Sequence, residues 1–264
     1  MKYSAGEIFI LHVHKKRDLL DFISAEHEAN DVAVTEFMSK KLEELAEKIR
    51  KEIDLTVTTK IAIGNITSEI INTVESNDIS LIIMGTKGKD SDKNRFIGSN
   101  AYRVLTKAQI PVLTVHTTYD KPFYENILIP IDTSQHSRQK VDSAIYLAKT
   151  LKSNLSVIGL IGKGEENYTY KMEIIMRQIQ KLAKNIKCVV EIKTSENRVA
   201  TTLAYSEEIK ADLVVIMTDQ HAEFSSIILG TYAHQLINES KIPVLCIPPE
   251  VHPENISGNL GGMW

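Results

Sequence analysis

Two cysteines, Cys188 and Cys246, are the only thiols in the chain. They form no C-x-x-C and have no histidine at zinc-like spacing, which excludes a zinc ribbon or a redox dithiol; two reduced core thiols are expected instead. No stretch reaches the roughly 18 continuous apolar residues of a membrane span, and the first residues lack the charged-then-apolar order of a signal peptide. The chain therefore reads as cytoplasmic. An excess of one charge is missing too: 31 Lys and Arg stand against 34 Asp and Glu, a net charge of −3. Without a long basic block, general attraction to nucleic acid or to an acidic membrane has no basis. Neither G-x-x-x-x-G-K-S/T nor G-x-S-x-G occurs, so neither a Walker-type phosphate loop nor a nucleophile elbow is present.

What the chain does have is enough apolar residue for a core, 43% over 264 residues, and an internal repeat. "LIIMGT" at 81–86 matches "LVVIMT" at 213–218, Gly98-Ser99 matches Gly230-Thr231, and "IPVLTV" at 110–115 matches "IPVLCI" at 242–247, each at an offset of 132. Two copies of one unit follow, over 1–118 and 124–249. They are joined by the polar, Pro122-containing stretch 116–126 and followed by a flexible tail, 250–264, that ends at Trp264.

Each copy alternates short β-rich apolar runs with helix-like segments. Strands are expected at Ile8 to Val13, Leu55 to Ile63, Leu81 to Met84 and Val112 to Val115. In the second copy they are expected at Ile127 to Ile131, Leu155 to Ile161, Val189 to Ile192, Leu213 to Met217 and Val244 to Ile247. Several are continuously apolar, as parallel strands covered on both faces should be. Met38, Leu42, Leu45, Ile49 and Ile53 fall on one helix face, with Glu44–Lys48 and Glu47–Lys51 as i,i+4 pairs outside it. The fold class is α/β, as two tandem doubly wound, Rossmann-like parallel sheets.

The stretch "MGTKGKDSDKNRFIGSN", 84–100, leaves the carboxyl end of one such strand and leads into a helix from about Asn100 to Lys107, with Ser99 as its expected N-cap. Open α/β sheets bind ligands at that edge. Glycine allows close backbone approach, and the first amides of a helix favour an anion, so Gly85, Gly88, Gly98, Ser99 and Asn100 can cradle phosphates. Lys87, Lys89, Lys93 and Arg95 outweigh Asp90 and Asp92, for a net +2. The second copy spoils this loop. Met217 and Gln220 replace the first two glycines, Asp219 and Glu223 give −2, and only Gly230 and Thr231 survive. A triphosphate there would meet like charge.

The pattern Gly85-x2-Gly88-x9-Gly98-Ser99 followed by "IPVLTV" resembles the nucleotide-binding signature of the universal stress protein family. "NILIPIDTSQHS", 126–137, is similar to that family's first strand and turn. The resemblance covers nearly the whole chain as two universal-stress-type domains. For the family's ATP-binding branch it implies adenine and ribose at the ends of the first two strands and triphosphate on the glycine loop; other members lack the glycines and bind no ATP. Carried over to these positions, it places Val13 at the adenine side of the first site, and Asp132 with Leu160 or Ile161 at a degenerate second site with Gly230 and Thr231. ATP is thus expected in the first domain and no cofactor in the second. The resemblance also implies that "PVLTV" and "PVLCI" meet at their edges across a pseudo-twofold axis, making a pseudo-dimer of the two domains. A homo-oligomer or a protein partner is open beyond that.

Matching "GEIFILHV" to "NLSVIGLI" gives an offset of 148, so residues 126–148 of the second copy have no counterpart in the first. Losing a central strand would uncover apolar surface. Two outcomes are expected: the natural chain starts upstream of Met1, or Ile8–Val13 pairs directly with Leu81–Met84. Other chemistries are weaker. His12, His14, His221 and His234 read as solvated or core histidines, and no metal site is expected. Ser134-Gln-His136 is no nucleophile–base pair, Ser137 reads as a turn or cap residue, and Glu165-Glu166 as a solvated loop pair. With no catalytic residue to name, the function expected is stress response through adenine-nucleotide binding or protein interaction, any ATP hydrolysis being slow and incidental. The alternatives are a structural interaction module with both sites dead, or an adenylate-forming enzyme of the α-hydrolase type. The latter would need a glycine-rich S-G-G-x-D-S-like turn that "PIDTSQHS" lacks.

Overall fold

The computed structural model describes residues 6–15, 25–86, 97–116, 119–121, 123–218, 220–223 and 226–249. The chain divides into two compact units, Met1–Ile79 and Ser80–Trp264. This division falls inside the first repeat, and the 250–264 tail lies outside the described residues.

The first unit holds β1 (Glu7–Lys15), α1 (Ala25–Glu52), β2 (Thr56–Gly64) and α2 (Ile66–Ser76). The parallel strands β1 and β2 form a two-stranded sheet, with Glu7 opposite Thr56 and Val13 opposite Ala62. On α1, Met38, Leu42 and Ile49 of the expected face are partly buried, and two residues depart from it. Ala46 is fully buried while Leu45 is 45% exposed, and Ile53 lies past the helix end. Residue size misled the periodicity, because a close approach admits alanine where leucine would not fit. Among the described residues, α1 carries the ion pairs Lys41–Glu44 and Arg50–Glu43.

The second unit holds β3 (Ile82–Gly85), α3 (Ser99–Lys107) and β4 (Val112–Val115) from the first repeat. From the second repeat it holds β5 (Asn126–Ile131), α4 (Lys140–Leu151), β6 (Asn154–Gly162), α5 (Thr169–Leu182), β7 (Cys188–Ser195), α6 (Arg198–Glu208), β8 (Leu213–Met217), β9 (Gln220–Glu223), β10 (Ser226–Leu229), α7 (Thr231–Glu239) and β11 (Val244–Ile247). Seven strands make one sheet in the order β3-β4-β11-β8-β5-β6-β7, parallel except where β4 meets β11. Its centre is dry: Ile127, Leu128, Ile129, Leu155, Val157, Ile158, Val214 and Val215 are fully buried, as continuous apolar runs covered on both faces require.

Repeat equivalence is visible in backbone detail. Asn65 and Asn197, at the 132 offset, both cap a helix by accepting an N–H three residues on, from Ser68 and Ala200. Asp78 and Lys210, also at that offset, both adopt the left-handed conformation, with φ of 50° and 52°. The β6–β7 register sets Leu155 against Cys188 and Ile161 against Thr194, which maps onto Glu7–Thr56 and Val13–Ala62 and so supports the 148 offset. Strand β5 pairs with β6 on one side and β8 on the other. Among the described residues the first repeat has no counterpart of β5. Within the first unit β1 pairs with β2 at the register that β6 and β7 share, and within the second β3 pairs with β4.

The connector between the repeats is tied down by one buried carboxylate. Asp212 Oδ2 accepts the backbone N–H groups of Glu125 and Asn126, each at 3.0 Å, and Oδ1 accepts from Lys121 Nζ at 2.7 Å. The Asp212 carbonyl accepts from the Tyr119 hydroxyl at 3.1 Å. Burial, reinforced by the Asp212 charge, pushes the Tyr119 phenol up to about 12, and the Asp212 hydrogen bond raises the Lys121 ammonium as well. Both groups hold their protons more tightly in the folded chain, so their stabilisation is complete below the unfolded values and is lost as pH rises through the folded ones. Stability measured by urea denaturation should therefore fall between pH 10 and about 12. Tyr119→Phe should flatten that limb, and an unchanged slope would remove Tyr119 from it.

Candidate functional site

In the first repeat, the sheet's carboxyl edge carries Gly85 at the end of β3 and Gly98, Ser99 and Asn100 at the start of α3. Residues 87–96, and with them Gly88, lie outside the described residues. The two ends of this loop meet, since the Gly98 N–H donates to the Thr86 carbonyl at 2.7 Å and the Thr86 N–H donates to the Val115 carbonyl at 3.1 Å. Ser99 is not the N-cap, contrary to expectation. Gly98 occupies that position with extended backbone (φ −60°, ψ 145°), and among the described residues no side chain caps the helix. Glycine here lets the chain pass close to Thr86, whose carbonyl oxygen would lie 3.3 Å from an added Cβ. The first helical bond joins the Tyr102 N–H to the Gly98 carbonyl, which leaves the amides of Ser99, Asn100 and Ala101 without an intrahelical acceptor. Thr86 itself is 7% exposed, and its Oγ1 has no hydrogen-bond partner among the described residues. Open amides, a helix dipole and an unpartnered buried hydroxyl fit an anion. Val13 lies half-buried on β1, in the other unit.

In the second repeat, the corresponding edge is filled by the protein's own groups. Asp132, just after β5, accepts the Ser134 N–H on Oδ1 at 2.9 Å, and its own N–H donates to Ser137 Oγ at 3.1 Å. Ser137 is thus the turn residue expected. Arg198, the first residue of α6, sets one guanidinium nitrogen 3.8 Å from Asp132 Oδ2 and donates another to Glu165 Oε2 at 2.8 Å. Glu165 also accepts the Gly162 N–H at 2.8 Å, so the solvated loop pair expected at Glu165-Glu166 is corrected for its first member. The ion pair with Arg198 and the backbone amide hold that carboxylate in place. Beside them the Tyr232 hydroxyl meets Thr202 Oγ1 at 2.9 Å, and burial pushes the phenol well above its ordinary range. Leu160 and Ile161 are 3% and 2% exposed, closed into the core.

The second loop is not a loop in the sense of the first. Gln220–Glu223 and Ser226–Leu229 form an antiparallel hairpin that leads directly to Gly230 and Thr231 at the start of α7. The strands β9 and β10 are absent from the sequence expectation. The run Ile227-Ile228-Leu229 signals one of them, but alignment to the glycine loop hid it. Among the described residues no cluster of His, Cys, Asp or Glu could hold a metal ion, and no helix is long and apolar enough to cross a membrane.

The Arg198–Glu165 pair is nearly half exposed and joins the start of α6 to the loop after β6, so its contribution is modest. A double-mutant cycle of Arg198→Ala and Glu165→Ala should give a coupling of about 0.5–1 kcal/mol in dilute buffer. That coupling should shrink in roughly 1 M salt, where the screening length falls to about 3 Å. No coupling under either condition would mean that the two side chains do not hold one another.

Comparison with known proteins bears on both halves. A universal stress protein of Methanocaldococcus jannaschii is 29% identical over 126 residues, 42% of this chain and 77% of that protein. Universal stress protein A of Yersinia pestis is 26% identical over 137 residues, 47% of this chain and 92% of its own length. Among solved structures, a universal stress protein from Archaeoglobus fulgidus is similar with a TM-score of 0.74 and 23% identity, covering 92% of this chain and 87% of that one. A second, from Pseudomonas aeruginosa, has a TM-score of 0.66 and 18% identity over 91% and 93%. These structures share the fold. The universal stress protein family model matches residues 2–116 and again residues 123–248; the chain belongs to the universal stress protein family, as a tandem member with two copies of its domain.

Proposed function

We propose that this chain acts in a cytoplasmic stress response by binding an adenine nucleotide, ATP, through its phosphates at Gly85, Gly88, Gly98, Ser99 and Asn100, and that the second repeat binds none. The observation that carries the reading is the start of α3, where, among the described residues, three amides and the Thr86 hydroxyl have no partner, beside a segment of net charge +2. In the second repeat the equivalent helix is preceded by a hairpin whose segment carries −2, and Arg198 is already engaged by Asp132 and Glu165, a trio of net charge −1. Such a chain signals by being occupied or empty. No group stands as a positioned general base next to the α3 amides among the described residues, which favours binding over catalysis. The rival reading, an interaction module with both sites dead, shares the fold and differs only in whether nucleotide binds.

Gly98→Asp separates the readings once thermal melting shows the fold intact, since its Cβ would stand 3.3 Å from the Thr86 carbonyl oxygen. Aspartate is a favourable N-cap at this extended backbone, yet its carboxylate takes the amides a phosphate would use. ATP affinity by calorimetry should fall tenfold or more, a loss of about 1.4 kcal/mol, while Gly230→Asp leaves it unchanged. Loss of binding on Gly230→Asp alone would move the site to the second repeat. No binding by the unaltered chain, with no nucleotide co-purifying by mass spectrometry, would favour the interaction module.

A further inference from the structure

The glycine loop of the first repeat is held by a residue of the second. The backbone N–H of Ile97, one residue before Gly98, donates to Asn238 Oδ1 on α7. That bond fixes the orientation of the amide, because only the oxygen can accept. The Nδ2 group of Asn238 therefore faces His234 Nε2, at 3.3 Å, and is the donor; the imidazole accepts there and carries its proton on Nδ1. His234 is placed in turn by Tyr102 of α3, whose ring meets it edge-on with centroids 5.5 Å apart. Tyr102 and His234 are themselves equivalent at the 132 offset, so the contact lies on the pseudo-twofold axis.

The arrangement is not reciprocal. The equivalent of Asn238 in α3 is Thr106, whose hydroxyl donates to the Arg103 carbonyl of its own helix. The equivalent of Ile97 is Leu229, which pairs with Gln220 in the hairpin. Among the described residues, only the repeat that keeps its glycines has its loop end held from the other side. Together with the Gly98–Thr86 bond, the Asn238 bond fixes two consecutive peptide units immediately before the open amides of Ser99 and Asn100.

We propose that Asn238 is a positioning residue for the anion site of the first repeat: the second repeat, which has lost its own phosphate loop, supplies the side chain that holds the other one ready. This rests on the reading of the α3 amides as a phosphate site. Its physical content is pre-organisation, since a loop end already fixed loses less freedom when ligand binds.

Asn238→Ala, Asn238→Asp and Thr106→Ala test this with two readouts, ATP affinity by calorimetry and amide exchange at Ile97 in the ligand-free protein. Removing one hydrogen bond to a backbone amide should speed Ile97 exchange and weaken ATP by about five- to tenfold in Asn238→Ala. Asn238→Asp keeps an acceptor and should restore Ile97 protection. Thr106→Ala removes the side chain at the position equivalent to Asn238, whose hydroxyl bonds only within α3 among the described residues, and should leave both readouts near those of the unaltered chain. Unchanged Ile97 exchange in Asn238→Ala overturns the proposal, as does an equal loss of affinity in Thr106→Ala, which would show general loosening of the interface. Should the unaltered chain bind no ATP, the phosphate reading fails and the proposal with it, while Ile97 exchange still decides whether Asn238 holds the loop.

Discussion

Leu113 on β4 faces Leu245 on β11, and the two are equivalent residues of the two repeats. An antiparallel ladder in which a residue meets its own counterpart has a twofold axis through that pair, and much of the second unit follows from it. Val112 pairs with Cys246 and Thr114 with Val244, all four nearly inaccessible, and the Thr114 hydroxyl donates to the Val244 carbonyl at 3.1 Å. Burial pushes the Cys246 thiol far above its ordinary range, so it is a core group. Pairing the two edges removes two unpaired backbone rows that would otherwise invite association with other chains. It also brings α3 and α7 together on the same axis, where Tyr102 meets His234 and Asn238 reaches Ile97.

The division of the chain has a physical cause in one strand. β5 is flanked by β8 and β6 and is buried along most of its length, so it carries hydrogen bonds in both directions and ties the two parts of the second repeat into one sheet. The described part of the first repeat offers no such strand. Its β1–β2 pair keeps the register of β6 and β7 without it, while β3, α3 and β4 join the sheet built by the second repeat through the β4–β11 ladder. A two-stranded sheet relies on α1 and α2 for cover, whereas the seven-stranded one has a core of its own.

Much of this architecture is legible in the amino-acid sequence. The runs at Val112–Val115, Leu213–Met217 and Val244–Ile247 form strands with the boundaries expected, because burial on both faces leaves a continuous apolar signature and isoleucine-proline marks the entry to two of them. The edge-to-edge meeting of "PVLTV" and "PVLCI" also forms. What escapes is long-range or small. Arg198 reaches Asp132 and Glu165 across 66 and 33 residues, and Asn238 reaches Ile97 across 141, so no local spacing announces either contact. Gly98 replaces Ser99 as the N-cap by a single position, which composition favouring serine at caps could not resolve. The β9–β10 hairpin escapes because the alignment that reveals the repeat also imposes a loop where the second copy has two short strands.

The ladder with β11 holds β3, α3 and β4 in the second unit. Native-state hydrogen exchange read residue by residue tests it most directly, because amides that open together report one cooperative unit. With the ladder intact, Met84, Val104, Leu113 and Val115 should share the opening free energy and denaturant dependence of Val214, Leu236 and Leu245, with Phe9, Leu11 and Ile61 opening separately. If instead the β3–α3–β4 amides open together with those of β1 and β2 while the second repeat stays closed, the ladder does not organise the second unit.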